Sequence, residues 1–283
     1  MLWAAGYLFR KTALYGISPL LLTFFTATIV AITFQCIFRY RLRDILRAFT
    51  AHPWLYFGLA TTGVGIGTTC MFFALDHLDL GITVVLEKLQ PVFTVLFASL
   101  YLGERISPRK LPWMGAALAA SYFVSMKDPF DLTFAATSLV GVGAVVLAAL
   151  SWGVSSVIGK QLTSVEPDAR MVTLLRFALG SFIMLPFFLF RDALGLRLQL
   201  DAYVITVTAL CAILSTGLGY LLFYRGLRGV SATLSGFLEL VTPVVGVLLG
   251  VVFLGESLTV LQLLAAAGLL WAIAQLCKVE AVG

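Results

Sequence analysis

The feature that most narrows what this chain can fold into is the spacing of its apolar runs. From residue 19 to 278, stretches of about 20 residues follow one another almost back to back, and that is the length a helix needs to cross a hydrocarbon core about 30 Å thick. A transmembrane β-barrel would show shorter segments of alternating polarity instead. Of the 283 residues 60% are hydrophobic and 12% charged, against roughly 25% charged in an average soluble domain. The expected class is an all-α integral membrane protein whose first partner is the lipid bilayer.

Ten helices are expected, over 1–15, 19–38, 54–75, 80–102, 111–126, 137–161, 170–190, 202–224, 231–254 and 259–278. Ser18-Pro19, Ser107-Pro108 and Thr259 suit helix starts, and Gly103 and Gly255 suit helix ends. The net charge of +5 would point a soluble protein toward acidic partners, but here its placement matters more. With the N-terminus inside, one set of loops carries Arg39, Arg41, Arg43, Arg47, Arg105, Arg109, Lys110, Arg170, Arg225, Arg228 and Lys278, and the other set only Lys127, Arg191 and Arg197. Basic residues collect in cytoplasmic loops, so both termini are expected in the cytoplasm. No nucleic-acid partner is expected. Cys36, Cys70, Cys211 and Cys277 stand singly in apolar runs, without CxxC or a His cluster, so neither a metal site nor a disulfide framework is expected. No cofactor is expected either. Asn is absent, which excludes N-glycosylation, and Arg10 and Lys11 follow the first apolar stretch rather than precede it, unlike a signal peptide.

The chain repeats itself. "GIGTTCMFFAL...LEKLQPVFTVLFASLYLGE" (65–104) aligns without a gap on "GLGYLLFYRGL...LELVTPVVGVLLGVVFLGE" (217–256), pairing Gly65 with Gly217, Gly67 with Gly219, Glu87 with Glu239, Pro91 with Pro243 and Glu104 with Glu256. Earlier, "LWAAGYLFRKTAL" (2–14) matches "LSWGVSSVIGKQL" (150–162), pairing Trp3 with Trp152 and Lys11 with Lys160. The expected domains are therefore 1–130 and 131–283. Each unit holds five spans, an odd number, so the second must lie inverted relative to the first, as in secondary transporters whose site sits near the bilayer midplane between the halves. Only Met1 and Leu2 precede Trp3, whereas a long apolar run precedes Trp152. Helix 1 is short at 1.5 Å per residue, and the natural chain is expected to be longer by about ten residues.

Charged groups inside spans carry the chemistry. At roughly 2.5–3.5 kcal/mol per charge at a helix centre, Glu87, Lys88, Lys160, Arg176 and Glu239 would together cost on the order of 10 kcal/mol in lipid. They must face the interior, a partner or water. Pro91 has no N–H to offer the Glu87 carbonyl, nor Pro243 the Glu239 carbonyl, and Gln90 and Thr242 follow about one turn along. The candidate substrate-binding or gating residues are Trp3, Glu87, Lys88, Gln90, Pro91, Trp152, Lys160, Arg176, Tyr220, Tyr224, Glu239 and Pro243. Each has a structural alternative: internal ion pairs for the glutamates, packing kinks for the prolines, snorkelling for Lys11 and Lys160, packing for the tyrosines. Trp152 falls too deep for an interface belt, which favours a cavity wall. Arg176 has no counterpart in 19–38, and Arg10 is left without a role. Glu104 and Glu256 read as structural caps or loop contacts. Lys88 and Gln90, which the second half replaces with Leu240 and Thr242, are the candidates for substrate discrimination.

The ten helices, the five-plus-five repeat, the tryptophan followed by a lysine in the first helix of each half, and "LEKLQPVFTVLFASLYLGE" with "LELVTPVVGVLLGVVFLGE" resemble the EamA-type transporters of the drug/metabolite transporter superfamily. The resemblance covers nearly the whole chain. It implies an inner-membrane secondary carrier that exports amino acids or related metabolites, without a cofactor and without enzymatic activity. Departures are the short helix 1, "WAAG" where the second half has "WGVS", and the missing arginine in helix 2. The expected function is alternating-access transport of a small zwitterionic metabolite, as monomer or homodimer. Proton coupling through Glu87 or Glu239 and uncoupled facilitation are both compatible with it. The rivals are a membrane-embedded enzyme, for which no HExxH, GxSxG or aspartate-rich motif is found, and a non-transporting receptor or scaffold.

Overall fold

The computed structural model of the protein describes residues 2, 3, 6, 10, 13–126, 138–254 and 257–282. Of the expected first helix, Leu2, Trp3, Gly6, Arg10 and Ala13 are described and helical, while Lys11, Lys127, Gly255 and Glu256 lie outside the described residues. Among the described residues there is no strand, only an isolated bridge between Ile17 and Leu198. Among the described residues seven helices are long and apolar enough to cross a membrane: Pro19–Phe38, Pro53–His77, Gly81–Leu102, Leu139–Val165, Ala169–Leu189, Ala202–Leu227 and Val260–Ala281. Leu111–Ser125 and the apolar stretch Ala232–Leu248 are shorter. One helix was not expected: Leu42–Ala51 occupies what reads as a loop, because its ten residues are too short and too charged to register as a span.

Helix ends are set by local chemistry. Asp201 and Ser231 accept the N–H of the residue three positions on, and Thr259 and Gln262 exchange hydrogen bonds as a capping box. Gly103 ends its helix at φ 66°, a left-handed conformation that costs glycine little. Glu104, the next residue, reaches across to the other half and accepts the N–H groups of Ala232 (2.7 Å) and Thr233 (3.0 Å). A carboxylate on two orphan donors at a helix N-terminus satisfies both the hydrogen bonds and the helix dipole.

Inside the spans the regular ladder is interrupted at matching places. The expected helix 80–102 is interrupted between Leu80–Glu87 and Gln90–Phe97, the latter continued by the π-helical Ala98–Leu102, and the expected helix 231–254 is likewise interrupted between Ala232–Glu239 and Thr242–Leu254. The chain tightens at both breaks: Lys88 N–H bonds to Val85 and Leu240 N–H to Phe237, three residues back instead of four. A proline follows four residues after each glutamate and removes the N–H that would have continued the ladder. The Pro53–His77 and Ala202–Leu227 spans each contain a π-helical stretch, Thr61–Thr68 and Cys211–Leu218. At the first, the Gly63 carbonyl is taken by the Thr68 hydroxyl (2.9 Å) and the Trp152 indole N–H (3.0 Å). In hydrocarbon such side-chain partners are what make an irregular turn tolerable.

The halves interlock through glycines. A Cβ on Gly67 would lie 2.5 Å from the Trp152 ring, and one on its counterpart Gly219 would lie 2.6 Å from the Trp3 ring. Each tryptophan therefore seats on a glycine of the opposite half. Helices Pro19–Phe38 and Ala169–Leu189 pack together, with Thr28 and Ser181 hydroxyls 2.6 Å apart and Phe24 stacked on Phe188. Lipid supplies no hydrophobic drive between helices, so contacts of this kind, small residues and cross-helix hydrogen bonds, hold the spans together.

Two polar clasps join the halves at opposite ends of that pair. At one, Ser18 N–H donates to Arg197 O and Gln199 N–H to Gly16 O. At the other, the Tyr40 hydroxyl donates across to Asp168, which also accepts from Arg170 of its own half, and within that half Arg228 donates to the Glu166 carbonyl. Partial desolvation pushes the Asp168 carboxyl up, but the hydrogen bonds from Arg170 and Tyr40 outweigh it and hold it below the usual carboxylate range. The clasp is therefore ionised at neutral pH. Burial and the same carboxylate push the Tyr40 phenol up, which keeps it a donor.

These contacts predict that Gly67→Ala lowers the thermal stability of the purified protein, by about 1–3 kcal/mol as for other overpacked cores, and changes tryptophan fluorescence. Gly65→Ala, whose Cβ would meet its first neighbour at 3.4 Å, leaves both nearly unchanged.

Candidate functional site

The two helix breaks face one cavity. It is walled by residues of both halves. Glu87, Lys88, Gln90 and Pro91 come from the first break, and Glu239, Leu240 and Thr242 from the second. Trp3 and Arg10 stand on the first helix, Thr68 and Phe72 on Pro53–His77, Trp152, Ser155 and Ser156 on Leu139–Val165, Arg176 on Ala169–Leu189, and Thr216, Tyr220 and Phe223 on Ala202–Leu227.

The breaks are tied to each other: Gln90 Nε2 donates to Glu239 Oε2 at 2.9 Å. Lys88 Nζ lies 3.5 Å from Glu87 Oε2, both side chains nearly buried. Lys88 and Gln90, found in the first half alone, thus each engage one of the two duplicated glutamates. Glu239 Oε1, Trp3 Nε1, Thr216 Oγ1 and Arg176 Nε are buried and find no hydrogen-bond partner among the described residues, although buried polar atoms are normally satisfied. All four residues line the cavity.

Arg176 is 2% exposed. Its Nη1 donates to Ser155 Oγ (2.9 Å) and Tyr224 Oη (2.6 Å), and its guanidinium stands 4.1 Å from the Tyr220 ring centroid. It occupies the space that a Cβ on Gly63 would need. Each of these neighbours has a counterpart in the repeat: Ser155 aligns with Gly6, Tyr224 with Phe72 and Gly63 with Ser215. At that counterpart place sits another guanidinium, that of Arg10. Its Nη2 is 3.4 Å from Ser215 Oγ, and its Cζ is 5.8 Å from the Phe72 ring and 3.5 Å from where a Gly6 Cβ would be. The arginine missing from helix 2 is thus matched from helix 1. Sequence alignment misses this, since Arg10 aligns with Gly159 and Arg176 with no arginine.

Among the described residues the cavity therefore holds three cationic side chains, Arg10, Lys88 and Arg176, and two carboxylates, Glu87 and Glu239. Along one wall Trp3 lies 5.2 Å from Tyr220 and 5.6 Å from Phe223, an aromatic surface beside the charges. Such a site can hold a small molecule bearing both signs of charge.

Three singled-out residues stand apart from the lining. Lys160 Nζ donates to the carbonyls of Leu227 (2.9 Å) and Arg228 (3.2 Å), closing a helix end. Tyr224 is fully buried and holds Arg176 from behind. Pro243 is buried and does not line the cavity. Ser155, Ser156, Thr68, Thr216, Phe72 and Phe223 were not singled out from sequence. Ser155 and Ser156 lie three and four residues beyond Trp152, and Phe223 three beyond Tyr220, so each shares a helix face with a residue that was.

Among proteins of known sequence, this chain is 26% identical over 229 residues to the riboflavin transporter ImpX of Fusobacterium nucleatum subsp. nucleatum, covering 80% of this chain and 76% of that protein. It is 24% identical over 279 residues to the uncharacterized inner membrane transporter YedA of Escherichia coli K12, covering 96% and 86%. A solved crystal structure shares the fold, with a TM-score of 0.76 at 22% identity over 99% of this chain and 93% of that one. Residues 1–126 and 139–276 match the EamA-like transporter family, so the chain carries two copies of the repeat and belongs to that family of multi-pass membrane transporters.

Proposed function

We propose that the protein is an alternating-access secondary carrier, built of ten spans in two inverted five-helix halves (1–130 and 131–283), with both termini in the cytoplasm of an inner-membrane protein. Its substrate is a small zwitterionic metabolite, an amino acid or a related compound, moved outward. The observation that carries this reading is the cavity at the two helix breaks, where Glu239 Oε1 is a buried acceptor unused among the described residues and Arg10, Lys88 and Arg176 supply positive charge. An amine suits Glu239 or Glu87, and a carboxylate suits the guanidinium groups. The distribution of basic residues supports the orientation. Breaks and π-helical turns at matching places in both halves support hinges about which they rock. Glu87 and Glu239 are the groups through which protons would couple.

A second reading concerns the substrate alone. The Trp3, Tyr220 and Phe223 wall and the name of the Fusobacterium relative favour a planar aromatic metabolite stacked on those rings.

Proteoliposomes loaded with labelled amino acids test the proposal. Protein-dependent efflux, competed by the transported compound, is expected. If a panel including amino acids, dipeptides and riboflavin gives no flux through folded protein, the carrier reading fails, and flux of riboflavin alone selects the second reading. Glu87→Gln is expected to slow flux or shift its pH dependence by about tenfold or more, the worth of a buried charged hydrogen bond. Glu104→Gln, outside the cavity, should change flux per folded protein far less.

A further inference from the structure

Helix Leu42–Ala51 has no part in the cavity, and its surface chemistry is specific. The chain turns sharply on either side of it, at Arg39 (φ 50°) and at His52 (φ −142°, ψ 57°). The spans Pro19–Phe38 and Pro53–His77 end and begin at those turns, so the helix is confined to the membrane boundary at the end that carries the Tyr40–Asp168 clasp. None of its residues is fully buried. Ile45, Ala48 and Phe49 rest on the core cluster that includes Met171 and Leu175. Next to that face runs an apolar edge, Leu42 (69% exposed) and Leu46 (51% exposed), one turn apart. Beyond it lie exposed Arg43 and Arg47, also one turn apart, with exposed Arg39 and Arg41 just before the helix. Asp44 is the one acidic residue between 39 and 54. Trp54, 84% exposed, opens the following span.

We propose that this helix lies in the headgroup layer and binds anionic phospholipid. Leucines beside an arginine row fit the acyl boundary on one side and phosphates on the other. Guanidinium groups match phosphate oxygens in a two-pronged geometry, and a tryptophan at the same level anchors the interface. Four arginines against one aspartate make the patch complementary to negative lipid. The aspartate sits in the first turn, where the helix dipole tolerates it. Tyr40 stands between Arg39 and Arg41 and donates to Asp168, so bound lipid restrains the clasp between the halves.

Native mass spectrometry of the full chain, from vesicles of equal phosphatidylglycerol and phosphatidylcholine, tests this. The unaltered protein should retain phosphatidylglycerol preferentially. At roughly fivefold per arginine near an anionic surface, Arg43→Gln with Arg47→Gln should reduce that retention by up to about 25-fold. Arg43→Lys with Arg47→Lys should keep most of it, and Arg105→Gln with Arg109→Gln should leave it largely intact. Equal retention of the two lipids by the unaltered protein would overturn the proposal. So would an unchanged preference in the Arg43/Arg47 glutamine variant, an equal loss in the Arg105/Arg109 variant, or a change of oligomeric mass in place of lipid retention. A melting curve for each variant separates loss of lipid from loss of fold, and a glutamine variant that loses the lipid only by unfolding also counts against the proposal.

Discussion

Every backbone N–H and C=O within a bilayer must find its partner inside the protein, and the rest of this structure depends on where that rule is strained. Proline at 91 and 243 withholds a donor four residues after a glutamate, so each half must break a helix at the same level. An interrupted helix needs protein partners for the backbone groups it frees. The two breaks therefore turn inward toward each other, where Gln90 and Glu239 bond across them. The cavity is the space that this arrangement leaves, and its charged lining is tolerated because protein, not hydrocarbon, surrounds it.

Duplication set the frame, and departures from it give the site its character. The Trp3–Gly219 and Trp152–Gly67 contacts are near copies, as are the breaks. Yet the Trp152 indole closes a π-helical carbonyl, whereas the Trp3 indole N–H has no partner among the described residues. Guanidinium groups stand at equivalent places but come from different helices, Arg176 locked by Ser155 and Tyr224, Arg10 beside Ser215 and Phe72. The charges are thus distributed unequally about a nearly symmetric cavity, which suits a substrate whose two ends differ.

Much of this was legible in the sequence because it follows from short-range rules. Apolar run length gave the membrane class, and the register of Glu, Pro and Gly-Glu gave the repeat. Proline at 91 and 243 located the interruptions, where the chain tightens into a three-residue turn between two helical segments. Glu104 read as a cap, and it caps a helix of the opposite half, a partner that no local pattern could name. Arg10 was visible as an anomalous charge, but its place emerges only when the first helix is packed against Ala202–Leu227. Lys160 aligned with Lys11 and invited a shared role, yet its ammonium closes a helix end on two carbonyls, apart from the cavity lining. Long-range partners decide such cases, and sequence spacing does not encode them.

The central claim, that one cavity between the halves opens alternately to the two sides of the membrane, is tested most directly at Ser156, a buried lining residue. With Cys36, Cys70, Cys211 and Cys277 replaced, Ser156→Cys should react with an impermeant maleimide added to either face of sealed vesicles, and a transported substrate should slow both reactions. Labelling from one face only, however long the exposure, would contradict the account.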